Sequence, residues 1–324
     1  MPSSKTFKSL AVISRPEFLP ANLASLIMGL AWAATPSFAF NWDKALLVAL
    51  SFGIITVVSA YGAQLNTLSD YELDLRDKRK QHLTGAMGLL GRKIVKSAVV
   101  VEFLISLVLI ALLLQVQWKP ALLVMWIAGF FLGYAYSSRP LRLKARSWLA
   151  LVSLFLVLCF LPILFVYYTF ALTFDPLFLP FLFGQAMTVY AIIIPTETRD
   201  YFGDKSMNVI TFTVRLGLVK SSLLGIILLA TGGILSSAAF FVKLVSGPYP
   251  LLAAFVLVIA FADSIVLKEY RKLYNLSRQH AATSKSDLAE QIVELSANNP
   301  KWITIVSQAT VLVSVILLAS NFLA

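Results

Sequence analysis

Long apolar runs separated by short polar segments recur along the whole chain. A bilayer needs about 20 apolar residues for each spanning helix, and most of these runs reach that length. Because lipid offers no hydrogen-bond partner to the backbone, such runs predict helices. The pattern therefore predicts an all-α fold, a polytopic membrane helical bundle with nine transmembrane helices. The predicted spans cover residues 18–35, 45–65, 94–116, 121–136, 148–170, 177–195, 221–242, 250–267 and 302–322.

Composition separates the chain from soluble proteins. Of its 324 residues, 59% are hydrophobic and 13% are charged, whereas an ordinary soluble domain is about 45–50% apolar and about 25% charged. The single cysteine, Cys159, excludes an internal disulfide and is expected to be buried. The two histidines, His82 and His280, have no ligand partner at helical spacing, so a zinc site is not expected.

The net charge of +11 follows the predicted topology. Only Lys44, Lys119 and Lys243 fall in the loops of one side, and every other lysine and arginine falls on the side of the N-terminus. The positive-inside rule therefore places the N-terminus in the cytoplasm. Since topology explains the basic surplus, no nucleic-acid partner is predicted.

A weak internal repeat predicts two similar halves. Spans two to four and spans six to eight each begin with a helix that runs into an aspartate pair. We therefore expect a single membrane-embedded domain, residues 1–324. Its halves would cover about residues 17–147 and 148–301, with a terminal helix at residues 302–322.

Two polar strips carry the candidate chemistry. Asn66, Asp70 and Asp74 follow span two, and Asp200 and Asp204 follow span six. Residues four apart lie on one helical face, where like charges repel and favour a cation between them. Carboxylates at a membrane are costly and are usually functional. We expect the two strips to meet across a shared pocket on the cytoplasmic side; solvated helix ends are the alternative.

Oxygen donors of this kind suit Mg²⁺, which typically bridges one or two carboxylates to substrate phosphates. The two strips therefore predict a magnesium site that holds a diphosphate. Nearby basic residues would neutralise the remaining phosphate charge. These are Arg76, Lys78, Arg142, Lys144, Arg199 and Lys205.

The two strips also resemble a known family. Asn66-x-x-x-Asp70-x-x-x-Asp74 is similar to the first signature of the UbiA superfamily of intramembrane prenyltransferases. Asp200-x-x-Gly203-Asp204 looks like the second signature, which continues here through Thr211, Val214 and Gly217. Residues 136–144, Tyr-Ser-Ser-Arg-Pro-Leu-Arg-Leu-Lys, are similar to a stretch after span four in chlorophyll synthases and carotenoid elongases. The resemblance covers about residues 10–267.

The sequence departs from the family pattern at several positions. Thr67 stands where many members have a further Asp, and Asn208 stands where Gly is common. Arg139 replaces a Pro, and Pro140 stands where a Tyr-x-x-x-Lys pattern would need Lys. Lys144 or Arg142 is expected to take the role of that lysine.

The resemblance implies a magnesium-dependent transfer of a prenyl group from an allylic prenyl diphosphate to a hydrophobic acceptor. The acceptor could be an aromatic compound, a quinone precursor, a chlorin or another lipid. Asp70, Asp74, Asp200 and Asp204 would be catalytic through the metal, and Tyr136 would guide the allylic cation or act as an interfacial anchor. A bundle open to membrane lipid would keep water from the cation.

Two alternatives stay open. A terpene cyclase of the same fold would use the same diphosphate site, so the motifs do not separate it from a transferase. A cation-coupled transporter would instead use the aspartates as ion ligands. Transporters place such residues near the bilayer midplane in broken helices, whereas here they cluster at helix ends.

Overall fold

The computed structural model describes residues 4–35, 41–75, 80–206 and 209–323. Within these ranges the chain is helical and contains no strand, so the predicted all-α class is confirmed. The helices are α1 Ser4–Ile13, α2 Leu19–Ala33, α3 Trp42–Asp74, α4 Gln81–Val116, α5 Pro120–Ser137, α6 Trp148–Phe155, α7 Leu161–Phe170, α8 Phe178–Ser206, α9 Phe212–Leu216, α10 Leu218–Val245, α11 Val256–Thr283, α12 Ser286–Ser296 and α13 Asn299–Leu323. A π-helical turn, Leu156–Phe160, joins α6 to α7.

Among the described residues, eight helical stretches are long and apolar enough to cross a membrane. They are Trp42–Asp74, Gln81–Val116, Pro120–Ser137, Trp148–Phe170, Phe178–Ser206, Leu218–Val245, Pro250–Thr283 and Ser286–Phe322. Each overlaps one of the predicted spans two to nine, and the chain is a multi-pass membrane protein. The first predicted span corresponds to α2, which has 15 residues and reaches only about 22 Å at 1.5 Å per residue. The count of nine spans and the cytoplasmic N-terminus stay predictions.

The chain divides into two compact units. The first comprises Met1–Leu26 and Phe40–Leu143, and the second comprises Ile27–Ala39 and Lys144–Ala324. In the first unit, α3 packs along α4, and α1 docks on α4. In the second unit, α10 packs against both α8 and α11. These units are defined by packing, so the predicted similarity of two halves stays a prediction.

A glycine divides α4 into two segments. Gly91 has a φ of 72° and interrupts the helix, a conformation that glycine adopts without steric cost. Residues 81–90, called the cap segment below, fold onto α1 and the end of α3. The apolar cluster between them contains Ile13, Ala86, Met87, Leu90 and Val95, with Leu68 and Tyr71 packed against it.

A proline inside α8 is accommodated by a tyrosine of α11. Pro195 has no N–H, so the carbonyl of Ala191, four residues earlier, loses its helical partner. The hydroxyl of Tyr270 donates to this carbonyl at 2.7 Å, and the Tyr270 side chain is fully buried. Gly225 on α10 leaves room for the ring, since a Cβ there would lie 2.7 Å from Tyr270 Cε1. With its backbone groups paired, α8 continues to Ser206.

Tyr270→Phe removes only the donor to Ala191, which leaves a buried carbonyl without a partner. We expect the free energy of unfolding to fall by about 1–3 kcal/mol. The melting temperature of the purified protein in detergent measures the effect. Tyr274→Phe is the matched control on the same helix, where the ring lies near the guanidinium of Arg278. Equal melting temperatures for Tyr270→Phe and the parent would rule out a stabilising role for this bond.

Candidate active site

The first polar strip lies on the last turns of α3. This helix continues without a break to Asp74, well past the predicted end of the span at residue 65. Asn66, Asp70 and Asp74 are therefore successive positions on one helical face. The side chains of Asp70 and Asp74 are only 15% and 8% exposed. A helix thus presents two largely buried carboxylates in a fixed register.

Basic side chains of the same unit lie against both carboxylates. Lys80 Nζ, just before the cap segment, lies 2.7 Å from Asp74 Oδ1. Arg142 Nη2, in the loop after α5, lies 3.6 Å from Asp70 Oδ1. Largely buried carboxylates need such partners, because burial without a countercharge is costly. The structure therefore brings the predicted Arg142 to the strip, together with Lys80, which was not predicted from the sequence.

The end of α5 also reaches this strip. Ser137 Oγ donates a hydrogen bond to Asn66 Oδ1 at 3.3 Å. The neighbouring Tyr136 is half-buried in the last turn of α5. The amide oxygen of Asn66 is thus oriented by a side chain distant in sequence.

The predicted basic residues near the first strip differ in how the structure describes them. Lys144 is in the 3₁₀ turn Leu143–Ala145 and belongs to the second unit. Arg142 has a left-handed backbone, with a φ of 39°, and its N–H donates to the carbonyl of Ser138 at 2.7 Å. Arg76 and Lys78 lie outside the described residues.

Thr67, which stands where many family members have an Asp, is packed inside the protein. Its side chain is turned about 100° from Asn66 around the helix, and the residue is 3% exposed. Its hydroxyl donates to the carbonyl of Ala63 at 3.0 Å. Thr67 therefore belongs to the packed interior of the first unit, and the strip supplies two carboxylates.

The second strip lies near the end of α8. Asp200 and Asp204 are four residues apart on this helix and are partly exposed. Arg199 Nε lies 3.1 Å from Asp200 Oδ1, and Nη2 of the same guanidinium lies 3.4 Å from Asp200 Oδ2. The ammonium of Lys205 lies 5.6 Å from the ring centre of Tyr201. Both predicted basic residues therefore flank this strip.

Glu197, one turn before Asp200, anchors the segment that follows α8. Its Oε2 accepts hydrogen bonds from the Thr213 backbone N–H at 3.0 Å and from the Thr213 hydroxyl at 2.8 Å. Thr211 caps the start of α9 by accepting from the N–H of Val214. Glu197 is not among the residues predicted from the sequence, although its position three residues before Asp200 places it near the same helical face.

The side chains of the two strips provide oxygen atoms as donors for a metal ion. Across the described ranges, no group of three or more His, Cys, Asp or Glu side chains forms a metal cluster. Each strip contributes two carboxylates, and the first adds the amide oxygen of Asn66. Mg²⁺ takes one or two protein carboxylates and completes its shell with water and substrate phosphates. The residues therefore fit magnesium. That the two strips share one pocket stays a prediction.

Comparison with known proteins identifies the family. The model of the UbiA prenyltransferase family matches residues 22–280, a range that includes both strips and the loop after α5. The chain belongs to the UbiA prenyltransferase family. It is therefore a prenyltransferase, as the sequence resemblance predicted. A search of curated proteins found no match.

Solved UbiA structures share the fold. A digeranylgeranylglyceryl phosphate synthase is 17% identical, with a TM-score of 0.64 over 96% of this chain and 99% of that chain. A UbiA homologue from Archaeoglobus fulgidus bound to GPP and Mg²⁺ is 16% identical, with a TM-score of 0.60 over 92% and 99%. The same homologue bound to DMAPP and Mg²⁺ is 19% identical, with a TM-score of 0.60 over 88% and 99%. At these identities the likeness establishes the UbiA fold alone.

Glu197→Ala tests the anchor between α8 and α9 in this UbiA chain. We expect the Thr213 amide to exchange with solvent at least about fivefold faster, because its N–H and hydroxyl lose their acceptor. Hydrogen–deuterium exchange of residues 209–217 measures this. Glu197→Gln keeps an acceptor oxygen and serves as the control, with exchange close to that of the parent. Unchanged exchange in Glu197→Ala would show that the carboxylate does not hold α9.

Proposed function

We propose that the chain is a magnesium-dependent intramembrane prenyltransferase, which moves a prenyl group from an allylic prenyl diphosphate to a hydrophobic acceptor. Family membership supports the reaction class. The observation that carries the proposal is the first strip, where Asp70 and Asp74 lie on one continuous helix with Arg142 and Lys80 against them. This arrangement suits a metal bound next to an anion.

Asn66, Asp70, Asp74, Asp200 and Asp204 are the proposed magnesium ligands, acting together on one diphosphate. Two complexes of the Archaeoglobus homologue with a prenyl diphosphate and Mg²⁺ support this choice of metal and substrate. When bound, magnesium would stabilise the negative charge on the departing diphosphate. The strips supply oxygen donors from helices, which position ligands more rigidly than loops.

The basic residues are proposed to bind the remaining phosphate oxygens. Arg142 and Lys80 lie against the carboxylates of the first strip. Both are therefore within reach of an anion drawn to a metal on that strip, and a planar guanidinium suits phosphate oxygens well. The further proposed partners are Arg76, Lys78, Lys144, Arg199 and Lys205.

In the proposed reaction, the bond between the prenyl C1 and the ester oxygen of the α-phosphate breaks, and the diphosphate keeps the electron pair. The allylic cation is then attacked by a nucleophilic carbon or oxygen of the acceptor, which loses a proton to solvent. Tyr136, half-buried beside Ser137, is proposed to face the cation with its ring, an interaction that aromatic faces favour. The acceptor class stays as expected from the sequence: aromatic, quinone-precursor, chlorin or another lipid.

The reaction is proposed to occur on the cytoplasmic side of a nine-span bundle with two similar halves and a cytoplasmic N-terminus. The distribution of lysine and arginine supports this orientation.

Two matched serine-to-cysteine variants test the orientation. Ser246 follows α10 and Ser286 begins α12, and both are exposed. In a Cys159→Ser background, we expect a membrane-impermeant maleimide to label Ser286→Cys only in inverted vesicles and Ser246→Cys only in right-side-out vesicles. Labelling of both cysteines from the same side would contradict the proposed topology.

Product analysis tests the reaction. Purified protein in lipid, supplied with Mg²⁺, prenyl diphosphates of several lengths and a panel of acceptors, should form a prenylated acceptor detected by mass spectrometry. Chelation of the metal should abolish the product, and added Mg²⁺ should restore it. Asp70→Ala and Asp204→Ala should each lower turnover by at least about 100-fold while the protein stays folded, because charge stabilisation at the leaving group is lost.

Asp287→Ala is the control, since this carboxylate is exposed in the first turn of α12 and belongs to neither strip. It should keep parental activity. Near-normal turnover in Asp70→Ala or Asp204→Ala would refute the site assignment. A cyclic hydrocarbon formed without any acceptor would instead identify a terpene cyclase, and magnesium-independent solute flux without product would identify a transporter.

A further inference from the structure

Helix α1 keeps one face free after it docks. Ser9 and Ile13 are buried on the side that meets α4, and Ile13 is fully buried. Phe7, Lys8 and Ala11 lie on the opposite side and are exposed, with 74% of Phe7 accessible. A helix of ten residues thus presents an aromatic ring beside a lysine, away from its own packing contacts.

The position of α1 is set by α4. Ile13 belongs to the same apolar cluster as Val95, which lies at the beginning of the segment that follows Gly91. Val95 lies between Lys93 and Lys96, and the apolar part of the candidate span Gln81–Val116 follows directly. Basic residues that flank a span normally mark the level of the lipid headgroups. This cluster therefore holds α1 at the membrane surface.

The exposed charged side chains described on α1 and on the adjoining part of α4 are basic. Lys5 and Lys8 on α1 are exposed, and so are Lys93 and Lys96 on α4. Within the described ranges, Glu72 lies 2.5 Å from Arg92, and Glu17 lies 3.1 Å from Arg15. The carboxylates of the first strip are likewise paired with basic side chains. Among the described residues, α1 therefore carries one exposed ring and two exposed lysines, of which Lys8 lies nearer to the ring.

We propose that α1 is an anionic-lipid-binding helix, with Phe7 inserted at the headgroup boundary and Lys5 and Lys8 against lipid phosphates. Basic amphipathic helices with aromatic residues bind lipid surfaces in this way, and their affinity depends on anionic lipid. A protein partner would need a larger apolar surface than a single ring.

Packing contacts connect α1 to the first strip. α1 packs on the cap segment, which in turn packs on Leu68 and Tyr71 of α3, on either side of Asp70 in sequence. An occupied α1 holds the cap segment against α3. Only this link to activity rests on the proposed function.

A fluorophore on α1 tests the lipid contact without any need for turnover. Cys159 is buried, so Cys159→Ser with Ala11→Cys gives a single site for an environment-sensitive label on the outer face. The full-length protein is placed in phosphatidylcholine vesicles with or without about 30% phosphatidylglycerol. We expect a blue shift and at least about threefold protection from an aqueous quencher only with the anionic lipid. About 1 M salt, which shortens the Debye length to roughly 3 Å, should weaken both effects.

Charge-reversal variants show whether the label responds to the charge of the lipid or only to burial of the label. Lys5→Glu with Lys8→Glu should abolish the response to phosphatidylglycerol, and Phe7→Ala should reduce the blue shift. Lys285→Glu with Lys301→Glu makes the same change in net charge at exposed sites of the second unit and should leave the response intact. An identical signal in both kinds of vesicle, or a full response in the Lys5/Lys8 variant, would overturn the proposal.

Prenyl transfer in the same vesicles tests the link to the cap segment. We expect phosphatidylglycerol to lower the KM for prenyl diphosphate by about threefold or more in the parent and not in the Lys5/Lys8 variant. A label response without any turnover in either vesicle would leave lipid binding standing and refute the proposed function instead. Equal KM values with a normal label response would refute the link to the cap segment.

Discussion

Every backbone polar group at membrane depth must be paired within the protein, because lipid supplies neither donor nor acceptor. Pro195 breaks this rule locally by leaving the carbonyl of Ala191 without its helical donor. Tyr270 replaces that donor from α11, and Gly225 on α10 admits the ring. Three helices of the second unit thus cooperate so that α8 can leave the bilayer region unbroken. The second strip depends on that continuity, since Asp200 and Asp204 lie on the segment beyond the proline.

The first strip shows how acidic groups are kept at a membrane boundary. Asp70 and Asp74 are largely buried, and each lies against a cation that comes from a different loop. These pairs offset the cost of burying the carboxylates. Glu197 is stabilised differently, because its carboxylate accepts two hydrogen bonds from Thr213. The carboxylates near the helix ends therefore differ in role according to their partners.

The departures from the UbiA pattern become understandable from packing. Thr67 faces the interior of the first unit, where its hydroxyl bonds to the helix backbone, so its replacement of an acidic residue leaves the geometry of Asn66, Asp70 and Asp74 intact. Pro140 stands where a Tyr-x-x-x-Lys pattern would need Lys. Arg142, two residues later, turns through a left-handed backbone and reaches Asp70. A basic side chain thus lies at the strip although the local pattern differs.

The sequence by itself determined the helical class, eight of the spans by their apolar length, and the two strips by their four-residue spacing, because these features depend on local periodicity. The family followed from the same short motifs. Partners distant along the chain could not be read in this way. Tyr270 and Ala191 are 79 residues apart, and Glu197 and Thr213 are 16 apart. Lys80 looked like any other member of a basic run. Only the tertiary structure decides which of several similar side chains reaches a given carboxylate or carbonyl, since that choice depends on how helices pack against one another.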